Sequence, residues 1–288
     1  MTLTDTKTTK AELRAAARAE SARIQAAQQA QEARNQRLIW GGLGGLLAAL
    51  IAVFLLVAQP WNNRNAVPNF TPVPMEQVAN TPANTTPEGG FLVTAGGGTA
   101  STVDPNLPTI DVYFDYMCPA CLLFETVNLE NMREFADSGE ANVVLHPVAI
   151  LNRFTPRTQF STRAVSAAGW VASQSPANFL RFHELMFNNQ PNEAAGGDMS
   201  NARMAELAIE AGVPAGVAAG IEDGTAMNTY GEWAVSLTQR AVSDPALVGP
   251  SGFGTPTVML DGARWDGDWS DPGALPAAIA TAGAAVGD

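Results

Sequence analysis

The chain contains two cysteines, Cys118 and Cys121, which are separated by Pro119 and Ala120. Two thiols at this spacing can form a small-ring disulfide or exchange with the disulfide of another protein. The thiolate is the reactive species, and a C-x-x-C arrangement lowers the pKa of a thiol to about 3.5–7.5. The spacing therefore predicts thiol-disulfide chemistry, in which Cys118 reacts outward and Cys121 closes or resolves the bond.

The residues around the pair predict a strand that leads directly into a helix. Residues 109–116 (TIDVYFDY) are rich in β-branched and aromatic side chains, and the helix is expected to begin at Cys118. Pro119 suits the first helical turn, because its missing N–H would have no partner there. The positive end of the helix dipole would then favour the Cys118 thiolate, and Cys121 would lie one turn deeper.

Structural uses of the two cysteines are the alternatives to exchange. A bridge at this spacing closes almost no loop, so it would constrain the unfolded chain very little. A structural zinc site needs four ligands, and only His146 and His183 remain to complete one. His183 lies beside the apolar stripe of a predicted helix and His146 at a predicted strand end. We therefore predict no metal and no bound cofactor.

Further strands and helices are predicted on both sides of the pair. Apolar runs bounded by turn residues predict strands at residues 91–95, 142–151, 256–262 and 263–269. Residues 156–243 have the composition of several short helices, and residues 271–286 predict a closing helix. The strand at 142–151 is expected to run parallel to that at 109–116. The fold class is therefore α/β, a mixed sheet with a helical subdomain inserted over about 156–243.

An uncharged apolar stretch precedes this domain. Residues 38–58 (LIWGGLGGLLAALIAVFLLVA) are long enough, at a rise of 1.5 Å per residue, to cross a hydrocarbon core of roughly 30 Å. Arg34 and Arg37 flank its N-terminal side and the next basic residue is Arg64, which predicts a cytoplasmic N-terminus. A cleaved signal peptide is the alternative. It is disfavoured by the long polar segment before the run and by the missing A-x-A site.

This membrane anchor divides the chain into four predicted parts. Residues 1–37 form a cytoplasmic segment, residues 38–58 a single transmembrane helix, and residues 59–89 an extended linker rich in Pro, Asn and Thr. Residues 90–288 form the α/β domain, which this topology places outside the cytoplasm.

The charge distribution argues against nucleic acid as a partner. Residues 1–37 carry seven Lys or Arg against four Asp or Glu, whereas the chain from residue 60 onward carries nine Arg, no Lys and 24 acidic residues. A surface this acidic repels a phosphate backbone. The predicted partners are polypeptides instead.

The sequence resembles the DsbA-like branch of the thioredoxin superfamily, in particular its membrane-anchored extracytoplasmic proteins. The resemblance covers roughly residues 90–288 and rests on FDYMCPACLLFE (114–125), the helical insertion and GFGTPTVMLDG (252–262). It implies a thioredoxin-like fold in which a loop with a cis-proline, here Thr255 and Pro256, faces the redox-active pair. In that loop the proline keeps a backbone donor out of the site, and the backbone of Thr255 can pair with an extended substrate segment.

Two positions depart from the family's pattern. Many relatives carry histidine between the cysteines, and Ala120 stands there in this sequence, so a less oxidising couple is expected. Val112 lies six residues before Cys118, where thioredoxin-like proteins often have a buried acid that moves protons for the second thiol. Water or Asp115 is expected to serve Cys121 instead.

The expected activity is that of a protein thiol-disulfide oxidoreductase, introducing disulfides into secreted or surface polypeptides. A substrate thiol attacks Cys118, Cys121 is expelled as a thiolate, and a second substrate thiol takes the disulfide away. A membrane redox partner must then recycle the pair. The alternatives are a disulfide reductase or isomerase of the same fold, a thioredoxin-like binding or chaperone module without turnover, and a metal-binding receptor.

Overall fold

The computed structural model describes residues 68–192 and 197–286. The predicted cytoplasmic segment (1–37) and transmembrane helix (38–58) lie outside these residues. No helix within the described part of the chain is long and apolar enough to cross a bilayer.

A six-stranded mixed sheet forms the centre of the fold. Its strands are β1 (Phe91–Val93), β2 (Thr99–Ala100), β3 (Thr109–Phe114), β4 (Asn142–Pro147), β5 (Thr257–Leu260) and β6 (Ala263–Arg264). They lie side by side in the order β2-β1-β4-β3-β5-β6. β3 and β4 run parallel, and the other neighbouring pairs are antiparallel. The predicted mixed sheet, with a parallel pair formed across a helix, is confirmed.

Helices cover the sheet and fill the insertion between β4 and β5. They are α1 (Pro119–Ser138), α2 (Phe160–Gln174), α3 (Phe179–Asn188), α4 (Asn201–Glu210), α5 (Ala215–Glu222), α6 (Thr225–Ser243) and α7 (Ala274–Val286). α2 to α6 form the helical insertion, and α1 connects β3 to β4. The apolar side chains of the insertion join those of the sheet and α1 in one core.

β3 leads directly to the two cysteines at one end of the sheet. Ile110, Val112 and Phe114 alternate onto the buried face of this strand, as a period of two requires. β3 lies between β4 and β5 and is antiparallel to β5, with Tyr113 opposite Thr257. The last residues of β3 and the first residues of β5 therefore lie side by side at the same end of the sheet.

All five predicted strands are shorter than expected, and the difference is largest for β4 and β6. β4 ends at Pro147, which has no N–H for the sheet, and residues 150–154 form a 3-10 helix instead of the predicted strand. β6 pairs only over Ala263–Arg264, because the following Asp and Gly residues favour turns and offer nothing to bury. The predicted strand over 263–269 was wrong beyond its first two residues.

The segment before β1 packs on the helical insertion. Phe70 lies over Gly231 of α6 so closely that a Cβ at this glycine would overlap its ring. The amide of Val73 also donates to Ser236 Oγ at 3.0 Å. Residues 68–89 are therefore part of the folded domain, and the linker predicted over 59–89 needs correction in this part.

Candidate active site

Cys118 occupies the N-cap of α1. Its backbone is extended, its N–H donates to the carbonyl oxygen of Asp115 at 2.9 Å, and its own carbonyl oxygen accepts from Cys121 N and Leu122 N, each at 3.1 Å. Pro119 is the first residue of the helix, where a missing N–H leaves no bond unmade. This local geometry points the N-terminal amides of α1 toward the Cys118 side chain.

The second half of the site is the loop before β5. Thr255 and Pro256 are joined by a cis peptide bond, and Cys118 Sγ donates to the carbonyl oxygen of Thr255 at 3.2 Å. Pro256 has no N–H group, so the residue after Thr255 places no backbone donor beside the carbonyl oxygen of Thr255. The structure thus brings together Cys118, Cys121, Pro119 and the Thr255–Pro256 loop.

The two thiols differ in exposure and in their readiness to ionise. The pKa of Cys118 is lowered to about 6, chiefly by a hydrogen bond from the Cys121 thiol, with further help from the Thr255 side chain and the amides of Cys121 and Ala120; partial burial opposes this. Burial raises the pKa of Cys121 well above its ordinary value, and its hydrogen bond to Cys118 and the charge of that sulfur raise it further. Cys118 therefore ionises first, and Cys121 keeps its proton.

Asp115 is the buried acid nearest to the pair in sequence. Its carboxylate accepts hydrogen bonds from the amides of Met117 and Leu151, both at 2.9 Å, and it is fully buried. Burial raises the pKa of this carboxyl to about 7, the amide hydrogen bonds oppose the increase, and the charge of Cys118 adds to it. The backbone of Asp115 also hydrogen-bonds to Cys121 and lowers the pKa of that thiol. Asp115 thus has the position and the pKa of a group that can exchange protons near neutral pH.

The two histidines lie in separate surroundings. His146 is buried in β4, where Nε2 is 2.8 Å from Asp111 Oδ1 and the ring stacks on Tyr113. His183 is buried in α3, so of the two predicted alternatives, a packed or a surface helix residue, the structure shows the packed one. Among residues 68–192 and 197–286, no group of three or more His, Cys, Asp or Glu is placed to hold a metal ion.

Sequence reasoning missed the side chains of α3 and its following turn that reach the motif. Gln190 donates to the carbonyl oxygens of Tyr116 and Cys118, and His183 lies between Tyr116 and Glu125. Tyr116 and Glu125 belong to the motif segment itself, so their burial was open to prediction. Nothing in the sequence around Gln190 indicates its contact, since this depends on the path of the insertion.

Comparison with known proteins places this site in a family. A family model described as Thioredoxin matches residues 105–272, more than half of the chain. Among curated proteins, the serine/threonine-protein kinase PknE of Mycobacterium tuberculosis is 27% identical to this chain over 179 residues. That match covers 60% of this chain, and the chain spans only 29% of the length of the kinase.

Solved structures give longer matches. Oxidised DsbA from Mycobacterium tuberculosis is 32% identical with a TM-score of 0.54, and the match covers 69% of this chain and 93% of that one. Reduced DsbG, a disulfide bond oxidoreductase from the same organism, is 31% identical with a TM-score of 0.54, covering 68% of this chain and 88% of that one. This chain belongs to the DsbA-like thiol-disulfide oxidoreductases of the thioredoxin superfamily.

Proposed function

We propose that this protein introduces disulfide bonds into secreted or surface polypeptides through Cys118 and Cys121, outside the cytoplasm and anchored by residues 38–58. The observation that carries the proposal is the difference between the two thiols. The pKa of Cys118 is lowered to about 6, whereas that of Cys121 is raised. A pair whose reduced form is stabilised as a thiolate holds its disulfide weakly and donates it readily.

The reaction begins with the oxidised pair. A substrate thiolate attacks Cys118 Sγ, a mixed disulfide forms, and the bond to Cys121 breaks so that its sulfur leaves as a thiolate. The buried Cys121 thiolate then takes up a proton, for which Asp115 is the nearby buried acid. A second substrate thiolate attacks the substrate sulfur of the mixed disulfide and expels Cys118. The substrate loses two electrons, which the enzyme now holds as one thiol and one thiolate.

Cys118 is a good leaving group in that last step because its pKa is low. Burial disfavours the thiolate of Cys121, so this sulfur takes up a proton after it has been displaced. The same asymmetry directs attack at Cys118, whose residue is 7% exposed, whereas Cys121 is fully buried. The carbonyl of Thr255 beside Cys118 is available to an extended substrate segment when the thiol does not occupy it.

The membrane part of the proposal rests on the sequence. An uncharged run over residues 38–58, with Arg34 and Arg37 before it, favours an anchor with the N-terminus in the cytoplasm. A redox partner in the same membrane would then oxidise the reduced pair after each turnover. The absence of Lys and the excess of acidic residues beyond residue 60 favour polypeptide substrates over polyanions.

The direct test of function is to trap substrates in the cell that makes the protein. In full-length Cys121→Ala, the Cys118 thiolate attacks a substrate disulfide, one substrate sulfur leaves as a thiolate, and no Cys121 thiol is present to displace the substrate that stays bound. Secreted or surface proteins should therefore accumulate in covalent complexes that a reductant releases. Cys118→Ala is the matched control and should form none. A Cys121→Ala protein that stays entirely monomeric would contradict exchange and favour a binding or chaperone module.

The direction of exchange and the location are tested on intact cells. A maleimide that does not cross membranes should label Cys118 only after reduction from outside, because an oxidase rests with its pair oxidised and faces outward. Labelling without added reductant would favour a reductase or isomerase. Labelling that requires lysis would contradict the extracytoplasmic location.

A further inference from the structure

We propose that α3 and the turn after it act as a positioning element for the redox pair, with Gln190 and His183 holding the two flanks of the motif in place. This proposal rests on the proposed function, since it concerns the reactivity of Cys118. It adds that the helical insertion, and not the sheet and α1 alone, sets that reactivity.

Gln190 holds the backbone immediately before and at the reactive cysteine. Its side-chain nitrogen Nε2 donates to the carbonyl oxygen of Tyr116 at 3.0 Å and to that of Cys118 at 2.9 Å. An amide nitrogen carries two N–H groups, so both bonds can form together. The Cys118 carbonyl is also the acceptor for the first hydrogen bonds of α1, from Cys121 and Leu122. One side chain of the insertion therefore fixes the turn that begins α1.

This turn decides how well the Cys118 thiolate is stabilised. The amides of Ala120 and Cys121 hydrogen-bond to the sulfur and lower its pKa, and they do so only while the first turn of α1 keeps its shape. Gln190 also directs two N–H groups at carbonyl oxygens close to the sulfur, which offsets their negative ends. Loss of Gln190 should therefore raise the pKa of Cys118.

His183 contacts residues that come before and after the cysteine pair. Its Nδ1 is 3.2 Å from the hydroxyl of Tyr116, two residues before Cys118, and its Nε2 is 3.3 Å from Glu125 Oε2, four residues after Cys121. The histidine is fully buried among the rings of Phe114, Phe179 and Phe187. It therefore joins the end of β3 to the second turn of α1 within the core.

Glu125 is a buried acid whose carboxyl group contacts His183. The residue is 4% exposed, and within the described part of the chain its carboxylate has His183 as its one ion-pair partner. Neither oxygen of Glu125 nor Nε2 of His183 makes a hydrogen bond among the described residues, so the 3.3 Å contact between Nε2 and Oε2 is what offsets the burial of this carboxyl group. A carboxyl group buried in this way is held by its histidine, so removing the pairing should shift α1 relative to α3.

The experiment measures the pH dependence of Cys118 alkylation and the equilibrium of the pair with glutathione, in the full-length protein. Gln190→Ala should raise the apparent pKa of Cys118 and change the equilibrium constant by roughly threefold to tenfold toward a less oxidising couple, the effect of losing one or two ordinary hydrogen bonds. The control is Gln239→Ala, because Gln239 is exposed on α6 and donates only to Ser243 Oγ in the described contacts. It should match the wild type in both measurements.

Two substitutions of Glu125 test its contact with His183 without removing the histidine. Glu125→Gln keeps a polar group of the same shape beside His183 Nε2 and should retain the wild-type reactivity of Cys118. Glu125→Leu fills the same volume without an acceptor and should raise the pKa of Cys118, as Gln190→Ala does.

Unchanged alkylation and glutathione equilibria in both Gln190→Ala and Glu125→Leu would overturn the proposal, even if their thermal stability falls. The wild type separates this failure from that of the proposed function. A wild-type Cys118 that titrates like a simple thiol contradicts the function itself, whereas a low wild-type pKa that the variants share contradicts only the positioning role.

Discussion

Cys118 Sγ lies 3.2 Å from the carbonyl oxygen of Thr255, although the two residues are 137 positions apart in the chain. The contact follows from the sheet, because β3 and β5 are antiparallel neighbours with Tyr113 opposite Thr257. The chain runs from the end of β3 to Cys118, and it runs from Thr255 into β5 at the same end of the sheet. The reactive sulfur and the backbone that can hold a substrate segment are therefore brought together by strand pairing.

Ala120 sets the oxidising strength of the pair. Ala120→His should place a positive imidazole beside the Cys118 thiolate and make the couple more oxidising by about tenfold, or about 30 mV. The wild type should lie between thioredoxin at about −270 mV and DsbA at about −120 mV. Equilibration with glutathione measures both, with Ala120→Gln as an uncharged control. A wild-type potential as high as that of the strongest periplasmic oxidants would contradict the prediction.

Asp115 is expected to move the proton of Cys121. Asp115→Asn should slow reoxidation of the reduced pair by about tenfold or more, because the buried thiol then lacks its nearby base. The carboxyl pKa of about 7 also predicts an inflection near pH 7 in the wild-type rate, and the variant should lose it. Stopped-flow oxidation followed by tryptophan fluorescence supplies the rates.

Asp111→Asn is the matched control for this experiment. Asp111 lies on β3, on the face opposite Val112, where it pairs with His146, whereas Asp115 follows the strand. That variant should keep the wild-type inflection. Equal rates and pH profiles in Asp115→Asn and the wild type would assign the proton transfer to water.

The stability of the reduced protein should depend on pH in a way that the oxidised protein does not share. Folding lowers the pKa of Cys118 from its ordinary value of 9.0 to about 6. A lowered pKa stabilises the folded state above the ordinary value, and this contribution is lost as pH falls through about 6. The free energy of unfolding of the reduced form, minus that of the oxidised form, should therefore rise between pH 6 and pH 8.

Urea unfolding of both redox forms across pH 5–8 measures this difference. The range stops below the ordinary thiol pKa because Cys121, whose folded pKa is raised, destabilises the reduced fold once unfolded thiols begin to ionise. Groups that titrate alike in both forms cancel in the subtraction, whereas Asp115, whose pKa the charge of Cys118 raises, offsets part of the rise below about pH 7. A difference that is flat over this range would show that Cys118 is not held as a thiolate.

Local sequence signals were sufficient for the centre of the site. Pro119 favours the first turn of a helix, and the alternating pattern of residues 109–114 identifies a half-buried strand, so the position of Cys118 at their junction could be predicted. The partner loop at Thr255 and Pro256 was different. A Gly-Thr-Pro sequence before a strand is an ordinary turn signal, and only resemblance to a family linked it to the cysteines.

Features that depend on packing at a distance escaped prediction. The contact of Gln190 with the Cys118 carbonyl requires the whole insertion to return to the motif, and no local pattern encodes that path. Residues 68–89 have no helical or strand periodicity, so their composition indicated a linker. They pack because single side chains such as Phe70 fit sites on α6 that only the folded insertion provides.

The rate at which Cys118 in the reduced full-length protein reacts with iodoacetamide, followed by mass spectrometry from pH 4 to pH 10, tests the central claim most directly. The rate should rise with a midpoint near pH 6 and should be close to its maximum at pH 7. A midpoint near 8.5 to 9.0, as for an ordinary thiol, or a Cys118 that does not react in the folded protein, would contradict the proposed chemistry.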